Sequence, residues 1–145
     1  MIFLDTNIFL RYLTRDDAEK SAVCLALLQR GQAGEEATTS EVVLAEVAYV
    51  LSSPRQYKLS HADVSARLRP ILLLRGLKLP NKRRLLRALD RYSTYPHLDF
   101  EDCLTVAQIE QQGIDTLASY DRGFDRVPGI TRREPPAPQV PQTSS

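Results

Sequence analysis

The chain carries only two histidines and two cysteines in 145 residues. His61 and His97 are isolated, and Cys24 and Cys103 are far apart. No His/Cys group has metal-ligand spacing, which disfavours zinc. Each cysteine lies in an apolar helical context and reads as a small buried hydrophobe in a reducing compartment. No apolar run reaches the roughly 18 residues of a membrane span. The opening MIFL meets Asp5 at once, with no basic segment ahead of a longer apolar one. A signal peptide is therefore not expected, and a cytoplasmic protein is. Internal repeats are absent. A dominant charge sign is also lacking, since the formal net charge is +1.

What is present is an ordinary globular composition, 43% hydrophobic and 26% charged. The length suits one domain with one sizeable core. The charges are unevenly placed. Arg67, Arg69, Arg75, Lys78, Lys82, Arg83, Arg84, Arg87 and Arg91 face a single acid in that stretch, Asp90. Such a concentration can form an electrostatic footprint for a polyanion, although a basic run alone reads first as a solvated helix face.

Patterning along the chain predicts strands alternating with helices. MIFLD reads as a short buried strand ending at Asp5. NIFLRYL continues as a helix broken near TRDD. A second helix spans about Ala18 to Arg30, with Val23, Leu27 and Leu28 at helical spacing and Gly31 as its stop. ATTS is a brief strand, and Ser40 caps the apolar helix EVVLAEVAYVL, which ends before Pro54. Ser60 caps a further helix with Pro70 as a bend. GLKLP is a short strand or extended link. NKRRLLRALDRYS is an amphipathic basic helix, and LDFEDCLTVAQIEQQG is a helix closed by Gly113. IDTLAS is a strand, YDRGFDRVPG a loop, and ITRREP a last edge strand. The order predicts an α/β fold with a central, mainly parallel sheet of 4–5 short strands flanked by helices, over residues 1–135. Residues 136–145, rich in Pro, Ser and Gln, read as a disordered tail.

Four carboxylates stand where chemistry is done in such folds. Asp5 lies at the carboxyl end of the first strand, where open α/β sheets bind ligands; an Asx-turn or N-cap explains it as well. Glu46 lies mid-helix among apolar neighbours. A helix apolar all round reads as buried, and a buried Glu must be paired, ligate a metal or take up a proton. In LDFED, Asp99 suits an N-cap and Asp102 the third helical position. Asp102 can also point back into a pocket, whereas Glu101 reads as solvent-facing. Asp121 follows TLAS and so ends a strand, as Asp5 does; Asp125 reads as loop chemistry. Several carboxylates without cationic partners converge only around a cation. Oxygen-only ligands select Mg²⁺ or Mn²⁺. Beside a basic helix, such a site suggests a phosphodiester substrate.

The segments FLDTNIFLRYL, VVLAEVAYVL, DFEDCLTVA and LASYDRGFDRVPGI, in this order, resemble the PIN-domain ribonucleases, specifically the VapC toxins of bacterial toxin–antitoxin pairs. The resemblance covers nearly all of the chain up to about Pro135. It implies a PIN-like fold and a metal-dependent endoribonuclease with an acidic quartet. By motif, that quartet is Asp5, Glu46, Asp102 and Asp121, serving both as metal ligands and as catalytic residues. Asn7 and Ser119 match small polar positions that orient ligands or metal-bound water in the family, and Asp99 matches a frequent extra acid. Gly123 stands where some members carry Asp or Glu. The implied partners are a VapB-type antitoxin and a second copy of the chain in a homodimer.

On this reading a metal-activated water hydrolyses RNA and leaves 5′-phosphate and 3′-hydroxyl ends, while Lys82, Arg83, Arg84 and Arg87 hold the RNA backbone. A phosphatase using Asp5 as nucleophile fits less well, because the second acid of its DxD pattern is replaced by Asn7. The alternative outside enzymes is a catalytically weak PIN-like module that binds RNA or protein.

Overall fold

Two serines open helices as the sequence predicts. Ser40 Oγ accepts from the Val43 N–H at 3.1 Å, and Ser60 Oγ accepts from the Asp63 N–H at 3.1 Å. The structure, a computed structural model, describes residues 1–14, 17–32, 36–136 and 138. The chain divides into two compact units, residues 1–108 and 109–145.

In the first unit, strand β1 (Ile2–Phe3) leads into helix α1 (Thr6–Thr14) and then helix α2 (Ala18–Gln32). Strand β2 (Ala37–Thr38) pairs with β1 in parallel, with Ile2 opposite Ala37 and Phe3 opposite Thr38. Helices α3 (Glu41–Ser52), α4 (His61–Leu72), α5 (Lys82–Thr94) and α6 (Phe100–Gln112) follow, the last running on into the second unit. GLKLP contributes one parallel bridge, Ala37 to Leu77, on the free side of β2. It is closed by Ala37 N–H to the Gly76 carbonyl and Lys78 N–H to the Ala37 carbonyl, each 2.8 Å.

The core of this unit is helical. On α5, Leu85, Ala88, Leu89 and Tyr92 are buried at helical spacing, and α4 supplies Val64, Leu68, Ile71 and Leu72. Each such leucine stabilises the fold by roughly 2 kcal/mol through burial. The α4–α5 contact also holds the buried Ser65, whose hydroxyl donates to the Leu89 carbonyl at 3.2 Å. Cys24 and Cys103 are buried and free, as expected.

In the second unit, strand β3 (Thr116–Ala118) pairs in parallel with β4 (Thr131–Arg133), with a short 3₁₀ helix (Arg122–Arg126) between them. Arg132 Nε donates to Asp125 Oδ1 at 2.8 Å, and Nη1 donates to Glu134 Oε1 at 3.0 Å and to the Ser119 carbonyl at 3.1 Å. The hydrogen bond from Arg132, with the charge of its guanidinium and of Arg122, holds the Asp125 carboxyl below its usual range against a smaller opposing effect of burial.

Several expectations change. Instead of a sheet of 4–5 strands, the described residues form one parallel pair in each unit, extended in the first by the Leu77 bridge. Segments of two or three residues close few ladder hydrogen bonds, and Pro80 follows GLKL at once. β1 is not a buried strand, because Ile2 is 38% and Phe3 57% exposed; burial falls on Leu4. Val23 is exposed, and α2 continues past Gly31 to Gln32. The break near TRDD falls partly on residues 15–16, and most of the tail, residues 137 and 139–145, also lies outside the described residues. No helix among the described residues is long and apolar enough to cross a membrane.

Candidate active site

Leu4 anchors the residue that matters most after it. Its N–H donates to the Thr38 carbonyl at 2.8 Å, and its carbonyl accepts from the buried Thr39 hydroxyl at 2.7 Å. Both backbone groups are thus satisfied, one by Thr38 of β2 and the other by Thr39, the residue before the Ser40 cap of α3. Asp5 emerges from this clamp. Its Oδ1 accepts from the Asn7 N–H at 3.1 Å, and its carbonyl from the Ile8 N–H at 3.2 Å. The aspartate therefore makes the Asx-turn that opens α1, and its carboxylate is exposed. Asn7 serves that turn through its backbone, with its side chain exposed.

Glu46 departs from expectation. It is exposed, on the face of α3 that also carries Val42, 78% exposed, and Tyr49, 70% exposed. The opposite face is buried through Leu44, Ala45, Val47, Ala48 and Leu51. The apolar sequence of α3 concealed this open stripe, because Val42 and Tyr49 are hydrophobic residues left in solvent. Glu46 is held by Thr6, whose Oγ1 donates to Glu46 Oε2 at 2.7 Å. One hydrogen bond thus ties the residue after Asp5 to the middle of α3. Nothing in the sequence marked Thr6 for this role beyond its place beside Asp5.

Asp99 and Asp102 stand at the start of α6. Asp99 Oδ1 accepts from the Asp102 N–H at 2.8 Å, as an N-cap does. Asp102 is half-buried. Both carboxylates act on the neighbouring Cys103, whose thiol is pushed up to about 12, chiefly by burial and then by Asp102 and Asp99. Asp99 shares a groove with Glu46 and with Glu101, which the sequence had marked only as solvent-facing.

Asp121 and Ser119 belong to the second unit. Ser119 Oγ accepts from the Asp121 N–H at 3.0 Å, and Asp121 Oδ1 accepts from the Gly123 N–H at 2.8 Å. Asp121 caps the 3₁₀ helix and remains exposed.

The basic residues divide into two pairs. Arg83 and Arg87 are exposed and line one shallow surface pocket with Asp90 and Arg91. Lys82 Nζ reaches the Leu74 carbonyl at 3.5 Å, and Arg84 lies 3.6 Å from Glu41. Asp90 is paired with Arg69.

Among the described residues, no group of three or more His, Cys, Asp and Glu is gathered to hold a metal ion. The donor chemistry nevertheless suits a hard cation. Asp5 and Glu46 are exposed carboxylates, and no ion pair to either is formed among the described residues.

No curated protein matches the chain. The PIN domain matches residues 2–130, from the first strand to the end of the loop before β4. That span contains Asp5, Glu46, Asp102 and Asp121, and by it the chain belongs to the PIN-domain family.

Proposed function

We propose that the chain is a Mg²⁺- or Mn²⁺-dependent endoribonuclease acting as the toxin of a VapBC-type toxin–antitoxin pair. PIN domains are generally nucleases that use divalent metal, and the match spans nearly the whole chain. The observation that carries the reading furthest is the Thr6–Glu46 hydrogen bond. It secures one acid of the quartet to the turn that presents another, Asp5, with both exposed to solvent.

Asp5, Glu46 and Asp102, with Asp121, would hold the metal. A bound divalent ion supplies Lewis acidity and offsets the charge that grows on the phosphate. The protein's own part is positional. The Asn7 N–H fixes Asp5, Thr6 fixes Glu46, and the Asp99 cap fixes the start of the helix carrying Asp102. Arg83 and Arg87 offer exposed cations to the RNA backbone. In this reading a VapB-type antitoxin covers the site, and the chain works in the cytoplasm as a homodimer.

A second reading, a PIN-like module that binds RNA or protein without cutting, draws on the carboxylates not being gathered into an ion site among the described residues. Total cellular RNA incubated with the purified chain, in Mg²⁺ and in chelator, separates the two. Cleavage in Mg²⁺ alone, yielding 5′-phosphates, is expected. An Asp5→Asn protein that cuts at the wild-type rate would overturn the assignment. Mg²⁺ binding that Glu46→Gln abolishes, with no cleavage of any RNA, would favour the binding module.

A further inference from the structure

Helices α3, α4, α5 and α6 frame a groove of about 480 Å³. Its wall carries Glu46, Tyr49, His61, Asp99 and Glu101. That volume lies within the range of about 300–1,000 Å³ typical of ligand pockets. No arginine or lysine lines the groove among the described residues. Three carboxylates repel phosphate, so away from Glu46, where a bound cation would offset the charge, the groove does not suit the RNA backbone. It suits a flat group that brings N–H donors.

The three carboxylates are not equivalent. Glu46 Oε2 already accepts from Thr6, and Asp99 Oδ1 already accepts from the Asp102 N–H. Glu101 is exposed, and among the described residues its carboxylate accepts from no protein donor. It offers two parallel acceptor oxygens. Among the four RNA bases, only guanine places two donors side by side on its Watson–Crick edge, N1–H and the 2-amino group. Adenine and cytosine place one donor beside an acceptor, and uracil sets one donor between two acceptors. Tyr49 completes the set. Its ring is 70% exposed and stacks on no other ring among the described residues. Protein recognition of single-stranded RNA rests on such aromatic platforms combined with hydrogen bonds to base edges. Tyr49 lies three residues from Glu46 on one helix face, so a base stacked there carries its backbone towards that acid.

We propose that this groove is a guanine-reading subsite, in which Tyr49 stacks on an unpaired guanine of the RNA and Glu101 accepts from its N1–H and 2-amino group. The proposal rests on the nuclease reading for its substrate and deepens it by naming the base.

The test begins with nucleosides, without metal, titrated into the full chain by calorimetry. Guanosine binds best. Inosine, which lacks the 2-amino group, binds roughly tenfold more weakly. Glu101→Gln removes the guanosine–inosine difference, which a merely structural role would leave in place. Tyr49→Ala weakens all nucleosides alike by roughly tenfold, and Tyr49→Phe restores them. Guanosine and inosine binding equally would overturn the proposal. So would arginine amide binding where nucleosides do not, which would give the groove to a basic peptide.

Single-stranded RNAs with one guanine or none, in Mg²⁺, separate this idea from the one beneath it. Cuts beside the guanine support both. Cutting that ignores guanine, with no guanosine–inosine difference, removes the subsite and leaves the nuclease. A guanosine–inosine difference with no RNA cut keeps the groove assignment and removes the nuclease.

Discussion

Thr6 donates its hydroxyl to Glu46 at 2.7 Å across 40 positions of sequence. This is a bond between exposed groups, so its contribution to stability is small, whereas its effect on where the carboxylate points is large. Thr6→Val keeps the shape and removes the donor. RNA cleavage is expected to fall about tenfold, because a reacting group displaced by a fraction of an ångström loses much of its effect. Thr6→Ser should restore it. Thermal melts of both variants should match the wild type, and a Thr6→Val protein with full activity would exclude a positioning role.

His61 stacks on Tyr92 with ring centroids 3.7 Å apart, and its Nδ1–H donates to the Tyr92 carbonyl at 3.1 Å. Burial lowers its pKa below the usual histidine value, outweighing the Tyr92 and Tyr95 carbonyls and Asp99, which raise it. The unfolded chain therefore binds the proton more readily than the folded one. Stability is fully present above about pH 6.5 and is lost as pH falls from there through the folded pKa. Chemical denaturation between pH 7.5 and 5 should show this decline, and His61→Gln should flatten it in that window.

Cys24 and Cys103 should resist thiol reagents. Both are buried, and burial is the first cause of the raised pKa of each. Thiolate is scarce at pH 8 in both, so alkylation should report unfolding rather than surface reactivity. Mass spectrometry after iodoacetamide treatment should find neither modified in the native chain and both modified in denaturant.

The basic helix should separate into two kinds of residue. Arg83→Ala with Arg87→Ala should weaken RNA binding uniformly across sequences. The slope of log affinity against log salt should fall by roughly 1.4, at about 0.7 per single-strand phosphate contact. Lys82→Ala and Arg84→Ala act on contacts to the Leu74 carbonyl and to Glu41, whose Oε1 is buried and makes no hydrogen bond. They should lower the unfolding temperature more than the salt slope. Filter binding over a salt series, paired with melts, checks both.

What was legible in the sequence was local. Ser40 and Ser60 announced their helices because a cap and the N–H it satisfies lie three residues apart. The buried stripe of α5 was legible because Leu85, Ala88, Leu89 and Tyr92 repeat at helical period. Glu46 was found for a reason the structure reverses. Apolar composition says how much of α3 can be buried, but not that Val42 and Tyr49 would be left in solvent beside it. Strand pairing was illegible for another reason, since a segment of two residues has no period to read. The groove could not be seen at all, because its lining comes from four helices between Val42 and Glu101.

The strand pairings of the first unit also bear on how the protein folds. Thr38 meets Lys78 across 40 positions, and Thr39 meets Leu4 across 35. These contacts require long loops to close, while helical hairpins such as α4–α5 form from neighbouring sequence. The clamp on Leu4, and with it the placement of Asp5, therefore belongs to the last stage of assembly. A newly made chain would gain most of its helix before the turn that presents the Asp5 carboxylate is in place.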